Sequence, residues 1–267
     1  MLLQGKRLLV TGVLSESSIA YAAARLACEQ GAEVVLTGFG RGLRITRAVA
    51  DKLRPGCPVL ELDVTRPDHL AAVAADLESR WGAVDGILHA IAYAPPTALD
   101  GGFLTAAWPE VSTALEVSTY SFAAVGRTFA PLLAAAGGGS LVGLDFDATR
   151  AWPGYDWMGV AKAGLESCCR YLAHALGPAG TRVNLVAAGP LRTVAASAIG
   201  AFGGFERAWA EHAPLGWDVR DASAVGRTVC ALWSDWLPGV TGSVVHVDGG
   251  AHAMGTGALP AAVARAS

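Results

Sequence analysis

The stretch "KRLLVTGVLSESSIA", residues 6–20, runs from an apolar segment through one glycine and a serine-rich turn into an alanine-rich helical pattern. Read as strand, turn and helix, it aims the unpaired amides of a helix N-terminus at whatever the turn holds, and such a terminus attracts an anion. A loop built for the pyrophosphate of a dinucleotide needs a tight turn, a close backbone approach and a helix that opens on the phosphates. Gly12 supplies the turn. The second and third glycines of the usual pattern are missing, and Ser17, Ser18, Ile19 and Ala20 stand where the helix opens. Hydroxyl groups there are expected to contact phosphate and to cap the helix.

The alternation continues along the chain. Apolar runs "EVVLTG" (33–38), "PVLELDV" (58–64), "DGILHAIA" (85–92), "SLVGLDF" (140–146), "TRVNLVAAG" (181–189) and "SVVHVDGG" (243–250) are separated by helical stretches such as 18–30 and 67–80. Several runs lack polar alternation, as strands do when helices cover both faces of a parallel sheet. Seven strands in this rhythm, joined by right-handed crossovers, imply an α/β, doubly wound, seven-stranded parallel sheet. With no repeat, linker or shift in composition, residues 1–267 are expected to form one domain.

Segment 193–216, "TVAASAIGAFGGFERAWAEHAPLG", breaks the rhythm between the sixth and seventh strands. Phe202, Phe205 and Trp209 are expected at its surface. The segment reads as a surface helix packed on the core or as an apolar lid over a substrate, with Gly200 and Gly203-Gly204 as hinges. The lid is preferred, because ligands of such sheets bind beyond the carboxyl ends of the strands.

Hydrophobic residues make up 52% of the chain and charged residues 16%, enough for a continuous core and too apolar for long disordered tails. A net charge of -3 without a basic run argues against a nucleic-acid partner. The longest uncharged stretch, 128–144, contains Pro131 and Gly137-Gly138-Gly139, so it reads as helix end, loop and strand rather than a membrane span. The N-terminal apolar run is too brief for a secretory signal. Five cysteines without a spaced framework suggest reduced thiols in a cytoplasmic protein and no metal site, with Cys168 and Cys169 in the core.

Other strand ends carry chemistry too. The second lacks the carboxylate that often holds an adenine ribose; Phe39 follows and is suited to stack on adenine. Arg41 either pairs with a 2′-phosphate or is a solvated charge, which leaves the cofactor's phosphate state open. Asp63 accepts from the adenine amine or simply holds a turn. Ala90 and Ala92 let a flat ring approach the backbone, and Pro95-Pro96 is expected to close that strand.

In "GYDWMGVAK", residues 154–162, Tyr155 and Lys162 stand seven residues apart in an apparent helix. A four-residue or a seven-residue step returns to about the same helical face, and seven residues separate the Cα atoms by roughly 10 Å. A phenol beside a carbonyl carbon suits carbonyl reduction. Hydride addition to the β-carbon of an enoyl thioester puts the charge on an oxygen two carbons further away, and a donor must act where charge develops. The wider spacing therefore fits conjugate reduction. A ketoreductase or alcohol dehydrogenase needs a tyrosine four residues before Lys162, where Met158 stands; a cofactor-binding paralogue without catalysis is the third reading. His89 and His252 read as packing or loop residues.

These words, with "SSIA", "VVLTGF", "LDFD", "NLVAAGPLRT", "SAI" and "DGGAH", resemble the enoyl-acyl-carrier-protein reductases of bacterial fatty-acid synthesis, in particular their mycobacterial type, from Gly5 to His252. The resemblance implies a Rossmann-like short-chain dehydrogenase/reductase fold that uses NADH, with NADPH the lesser choice, takes its substrate from acyl carrier protein and assembles as a homotetramer. It implies catalytic roles for Tyr155, Lys162 and Phe146. Cofactor contacts are implied at Gly12, Val13, Ser18, Ile19, Phe39, Asp63, Val64, Ile91, Ala92, Lys162, Leu191 and Thr193, and substrate contacts at Tyr93, Tyr155, Met158, Ala196 and Ile199. The lid is shorter than in the mycobacterial type, so acyl chains of medium length are expected. The tail after His252 departs from the family pattern and is expected to be disordered or to face a neighbouring subunit.

Overall fold

The valine- and leucine-rich runs become seven parallel strands: β1 (Arg7–Val10), β2 (Glu33–Gly38), β3 (Val59–Glu61), β4 (Gly86–His89), β5 (Ser140–Asp145), β6 (Arg182–Ala188) and β7 (Val244–Val247). The structure, a computed structural model, describes residues 1–255. Nearly all of the divergent tail therefore lies outside the described residues. The strands lie in the order β3-β2-β1-β4-β5-β6-β7, so the winding direction reverses between β1 and β4. Val10 pairs with Leu36 on one side and Leu88 on the other. This is the doubly wound α/β fold that the apolar rhythm predicts, and ligands of such sheets bind at the reversal.

Both faces are covered. On one, Leu8 and Val10 pack with α1 (Ile19–Glu29) and α8 (Ser223–Trp233), where Trp233 is fully buried. On the other, Leu9 and Ile87 pack with α3 (Pro67–Trp81), α5 (Ser121–Ala135) and α6 (Asp156–Leu176) through Leu70, Phe129 and Leu165. Successive strand residues point to opposite faces, so the unbroken "LLV" of β1 serves both layers. Each fully buried leucine contributes roughly 1.5–3 kcal/mol over an exposed one. The remaining helices are α2 (Gly40–Leu53), α4 (Trp108–Leu115) and α7 (Phe202–His212); a π-helical turn, Glu116–Tyr120, joins α4 to α5.

Three sequence readings need correction here. Strand β4 ends at His89, well before Pro95-Pro96. At its end the Thr11 hydroxyl donates to the Leu88 carbonyl (2.9 Å), which also accepts from the Thr11 amide (3.1 Å), and accepts from the Ala90 amide (3.0 Å), so a side chain extends the backbone ladder. Gly203 and Gly204 lie in the first turn of α7 rather than at a hinge. Phe205 and Trp209 are buried, at 6% and 2% exposure, because α7 turns their i, i+4 stripe inward. Among the described residues, no helix is long and apolar enough to cross a membrane.

Gly12 sits at the reversal with φ +79, and a Cβ there would meet the Ala90 carbonyl oxygen at 2.0 Å. Gly12→Ala must move backbone against backbone as well as hold a left-handed conformation. It is expected to destabilise the fold by about 1–3 kcal/mol, measured by denaturant unfolding; an unchanged midpoint would contradict the close approach.

Candidate active site at the carboxyl ends of the strands

Parallel strands deliver their carboxyl ends to one edge of the sheet, and the expected site residues follow those ends. Gly12 and Val13 follow β1, Phe39 follows β2, Asp63 and Val64 follow β3, Ile91, Ala92 and Tyr93 follow β4, Phe146 follows β5, and Leu191 and Thr193 follow β6. Beyond β1 and β4 the backbone of Gly12 passes close against that of Ala90.

The turn before α1 differs from its sequence reading. Ser18 occupies the N-cap position, but its hydroxyl makes no cap bond. It accepts instead from the Leu14 and Ser15 amides, at 3.2 and 3.0 Å, and closes the loop on itself. Helix α1 therefore keeps its first amides unpaired by a cap side chain, which suits an anion better than a self-capped terminus would. Phe39 is 54% exposed at the start of α2. Arg41, Arg44 and Arg47 all lie exposed along that helix. The Asp63 carboxylate holds a turn: its Oδ1 accepts from the Thr65 amide (3.0 Å) and hydroxyl (2.7 Å).

At the other end of the edge, Tyr155 lies outside the helix that its spacing suggested. Helix α6 starts at Asp156, whose φ of +42 breaks the helical path, and the Tyr155 carbonyl accepts the first-turn bond from the Met158 amide (3.0 Å). Tyr155 and Met158 nonetheless enter one apolar cluster with Phe205 and Trp209, against which Phe146, Trp152 and Ile199 pack. The Phe146 ring centroid lies 5.2 Å from Tyr155, 5.5 Å from Phe205 and 5.4 Å from Trp209. Tyr93 stays outside, 51% exposed, its backbone held at both amide and carbonyl by the Ser118 hydroxyl. Ala196 sits on the short turn Ala196–Ala198, where the Thr193 hydroxyl accepts from its amide (3.1 Å).

Lys162 is 5% exposed, and its Nζ donates to the Leu144 carbonyl at 2.7 Å. Asp145 lies 4.0 Å from that nitrogen, and neither of its carboxylate oxygens has a hydrogen-bond partner among the described residues. Burial dominates both groups: it pushes the Asp145 carboxyl up to about 7 and draws Lys162 below the usual lysine range. Burial, with Asp145 adding to it, also raises the Tyr155 phenol well above its usual range. His89, fully buried, shares a 2.7 Å hydrogen bond with the Ser121 hydroxyl, and burial lowers it to about 3, so it is neutral. His252 stacks on His246 and bonds the Asp248 carboxylate, a loop role. Sequence reasoning missed Asp145, Trp152 and Asp100; the acid inside "LDFD" was the one available signal.

A nicotinamide dinucleotide fits this edge. The bare Gly12–Ala90 approach suits pyrophosphate, and Lys162, bonded at one hydrogen, has donors left for a ribose diol. The family profile described as Enoyl-(Acyl carrier protein) reductase matches residues 12–252. The chain belongs to the enoyl-acyl-carrier-protein reductase family. Within that reductase family it is 46% identical over 264 residues to the enoyl-acyl-carrier-protein reductase (NADH) of Mycolicibacterium smegmatis, covering 94% of this chain and 97% of the relative. The reductase of the same name from Mycobacterium avium is 43% identical over 263 residues, with the same coverage. The FabI reductase (NADH) of Neisseria meningitidis is 41% identical over 251 residues, 93% of this chain and 95% of that one.

The buried carboxyl gives a pH test. A carboxyl raised in the folded state favours folding most below its unfolded value, and that contribution disappears as pH climbs through the folded value of about 7. Asp145→Asn removes the dependence. The melting temperature of the variant relative to the parent is therefore expected to rise from about pH 4, near the unfolded aspartate value, and to level off above about 7. Parallel curves across that range would sink the assignment.

Proposed function

We propose that the protein is an NADH-dependent enoyl-acyl-carrier-protein reductase that reduces a trans-2-enoyl thioester. The observation that carries this reading is the pair of side chains at the start of α6. Tyr155 sits just ahead of the first turn, against Phe146, and Met158, only 7% exposed, fills the position where a carbonyl reductase needs its phenol. Family membership and the NADH-dependent names of the relatives support it.

When bound, the reduced nicotinamide would supply hydride to the β-carbon of the substrate, with the proton for the α-carbon coming from solvent. Tyr155 donates a hydrogen bond to the thioester carbonyl oxygen, where negative charge collects. Its raised pKa keeps the phenol neutral, so it remains a donor throughout. Lys162, steadied by the Leu144 carbonyl, directs its remaining hydrogens to the ribose hydroxyls. Phe146 walls the reacting centre on the side of Tyr155. Gly12, Val13, Ser18 and Ile19 take the pyrophosphate, Phe39 the adenine, Asp63 and Val64 its rim, and Ala92, Leu191 and Thr193 the nicotinamide end. Segment 193–216 is the lid, with Met158, Ala196 and Ile199 meeting the acyl group and Tyr93 its entrance. Residues 1–267 work as one domain. The substrate arrives on acyl carrier protein, and the assembly is a homotetramer, for which the exposed Trp108, Tyr120 and Tyr171 offer apolar surface.

The reading is tested by NADH oxidation with an enoyl thioester and with a 3-ketoacyl thioester. Turnover with the first alone supports it; turnover with the second alone transfers the chain to the carbonyl reductases. Tyr155→Phe is expected to lower kcat on the order of 10²-fold with NADH affinity unchanged. Lys162→Ala is expected to weaken NADH binding about tenfold or more by calorimetry, since a charged donor pair is lost; equal affinity would remove Lys162 from the ribose.

A further inference from the structure

Two non-glycine residues with left-handed φ occur among the described residues, Asp100 (+51) and Asp156 (+42), and one hydrogen-bond network contains both. Asp100 lies on the loop after β4. Its amide donates to the Gly154 carbonyl (3.1 Å), and the next amide, Gly101, donates to the Asp156 carboxylate (2.6 Å). The loop is thereby tied to both sides of Tyr155. The Asp100 carboxylate reaches the other way, accepting from the Gly200 amide (3.0 Å) and the Ala201 amide (3.1 Å), immediately before α7. Ala201 comes so close that a Cβ on Gly154 would lie 2.6 Å from its own Cβ. Left-handed backbone at an aspartate persists only where surrounding contacts over-determine it.

We propose that Asp100 is a specificity-determining residue: its carboxylate pins the near end of the lid to the turn that carries Tyr155 and so fixes the width of the acyl entrance. The proposal rests on the reading of segment 193–216 as the lid of an enoyl-thioester site. Helix α7 carries Phe205 and Trp209 onto Phe146, and Phe205 onto Tyr155; Asp100 holds its near end at residues 200–201. A fixed end gives one opening, and one opening discriminates between chain lengths. Two amides converging on one carboxylate form a charge-assisted pair that a neutral side chain only half replaces.

Asp100→Gly relieves the left-handed strain and removes the carboxylate, so folding is retained while the pin is lost. Asp100→Asn tolerates the same backbone and keeps one acceptor. Amide hydrogen exchange at residues 200–201 is expected to speed up in the glycine variant and less in the asparagine variant. On a ladder of enoyl thioesters the glycine variant is expected to raise KM about tenfold for the preferred length, in line with the loss of hydrogen bonds to a charged group. Its preference between lengths should flatten while kcat and the KM for NADH hold, with the asparagine variant partway between. Unchanged exchange overturns the pin, and faster exchange with an unchanged ladder overturns the specificity role. If the parent protein turns over no enoyl thioester, the functional reading fails and the specificity role with it, whatever the exchange shows.

Discussion

Backbone meeting backbone where β1 leaves the sheet beside β4 is the constraint on which the rest depends. Winding reverses there, so the crossovers part to either side and leave a crevice at the carboxyl ends of these strands. Gly12 passes under the Ala90 carbonyl, and the Thr11 hydroxyl stitches the two strands as their ladder ends. A side chain at position 12 would both fill that edge and push the strands apart.

A second constraint is electrical. Lys162 and Asp145 are withdrawn from water side by side, and neither has a full set of partners. Such a pair is costly to keep and is weak evidence for stability. It lies beside Tyr155 at the end of β5, where the proposed site calls for polar donors. Sites that bind charged or polar groups retain unspent donors, and structures tolerate the cost elsewhere in a well-packed core.

Much of the fold was legible because its signal is additive. Apolar runs, glycine turns and helix-length spacers agree with one another along the chain, and the run at 33–38 coincides with β2. The overlong reading of β4 arose because Ala90, Ile91 and Ala92 look like strand residues, although their small size serves an open edge instead. Phe202, Phe205 and Trp209 carried a helical i, i+3, i+7 stripe that announced a buried face; composition alone made them look exposed. The spacing of Tyr155 from Lys162 was legible, but not the kink at Asp156 that takes Tyr155 off the helix. Asp100 was invisible for a plainer reason. "LDGG" reads as an ordinary turn, and what its carboxylate holds lies 100 residues away in the chain.

The rings around Tyr155 touch one another directly: Trp152 lies 5.1 Å from Trp209, and Phe205 stands edge-on to both Trp152 and Tyr155. Tyr155 is thus hemmed in by its own neighbours. A guest that entered between these rings would first part them, and its leading carbons would only restore the contact that the parting removed. Its affinity would grow only with the carbons beyond them, a handicap that weighs most on the smallest guests.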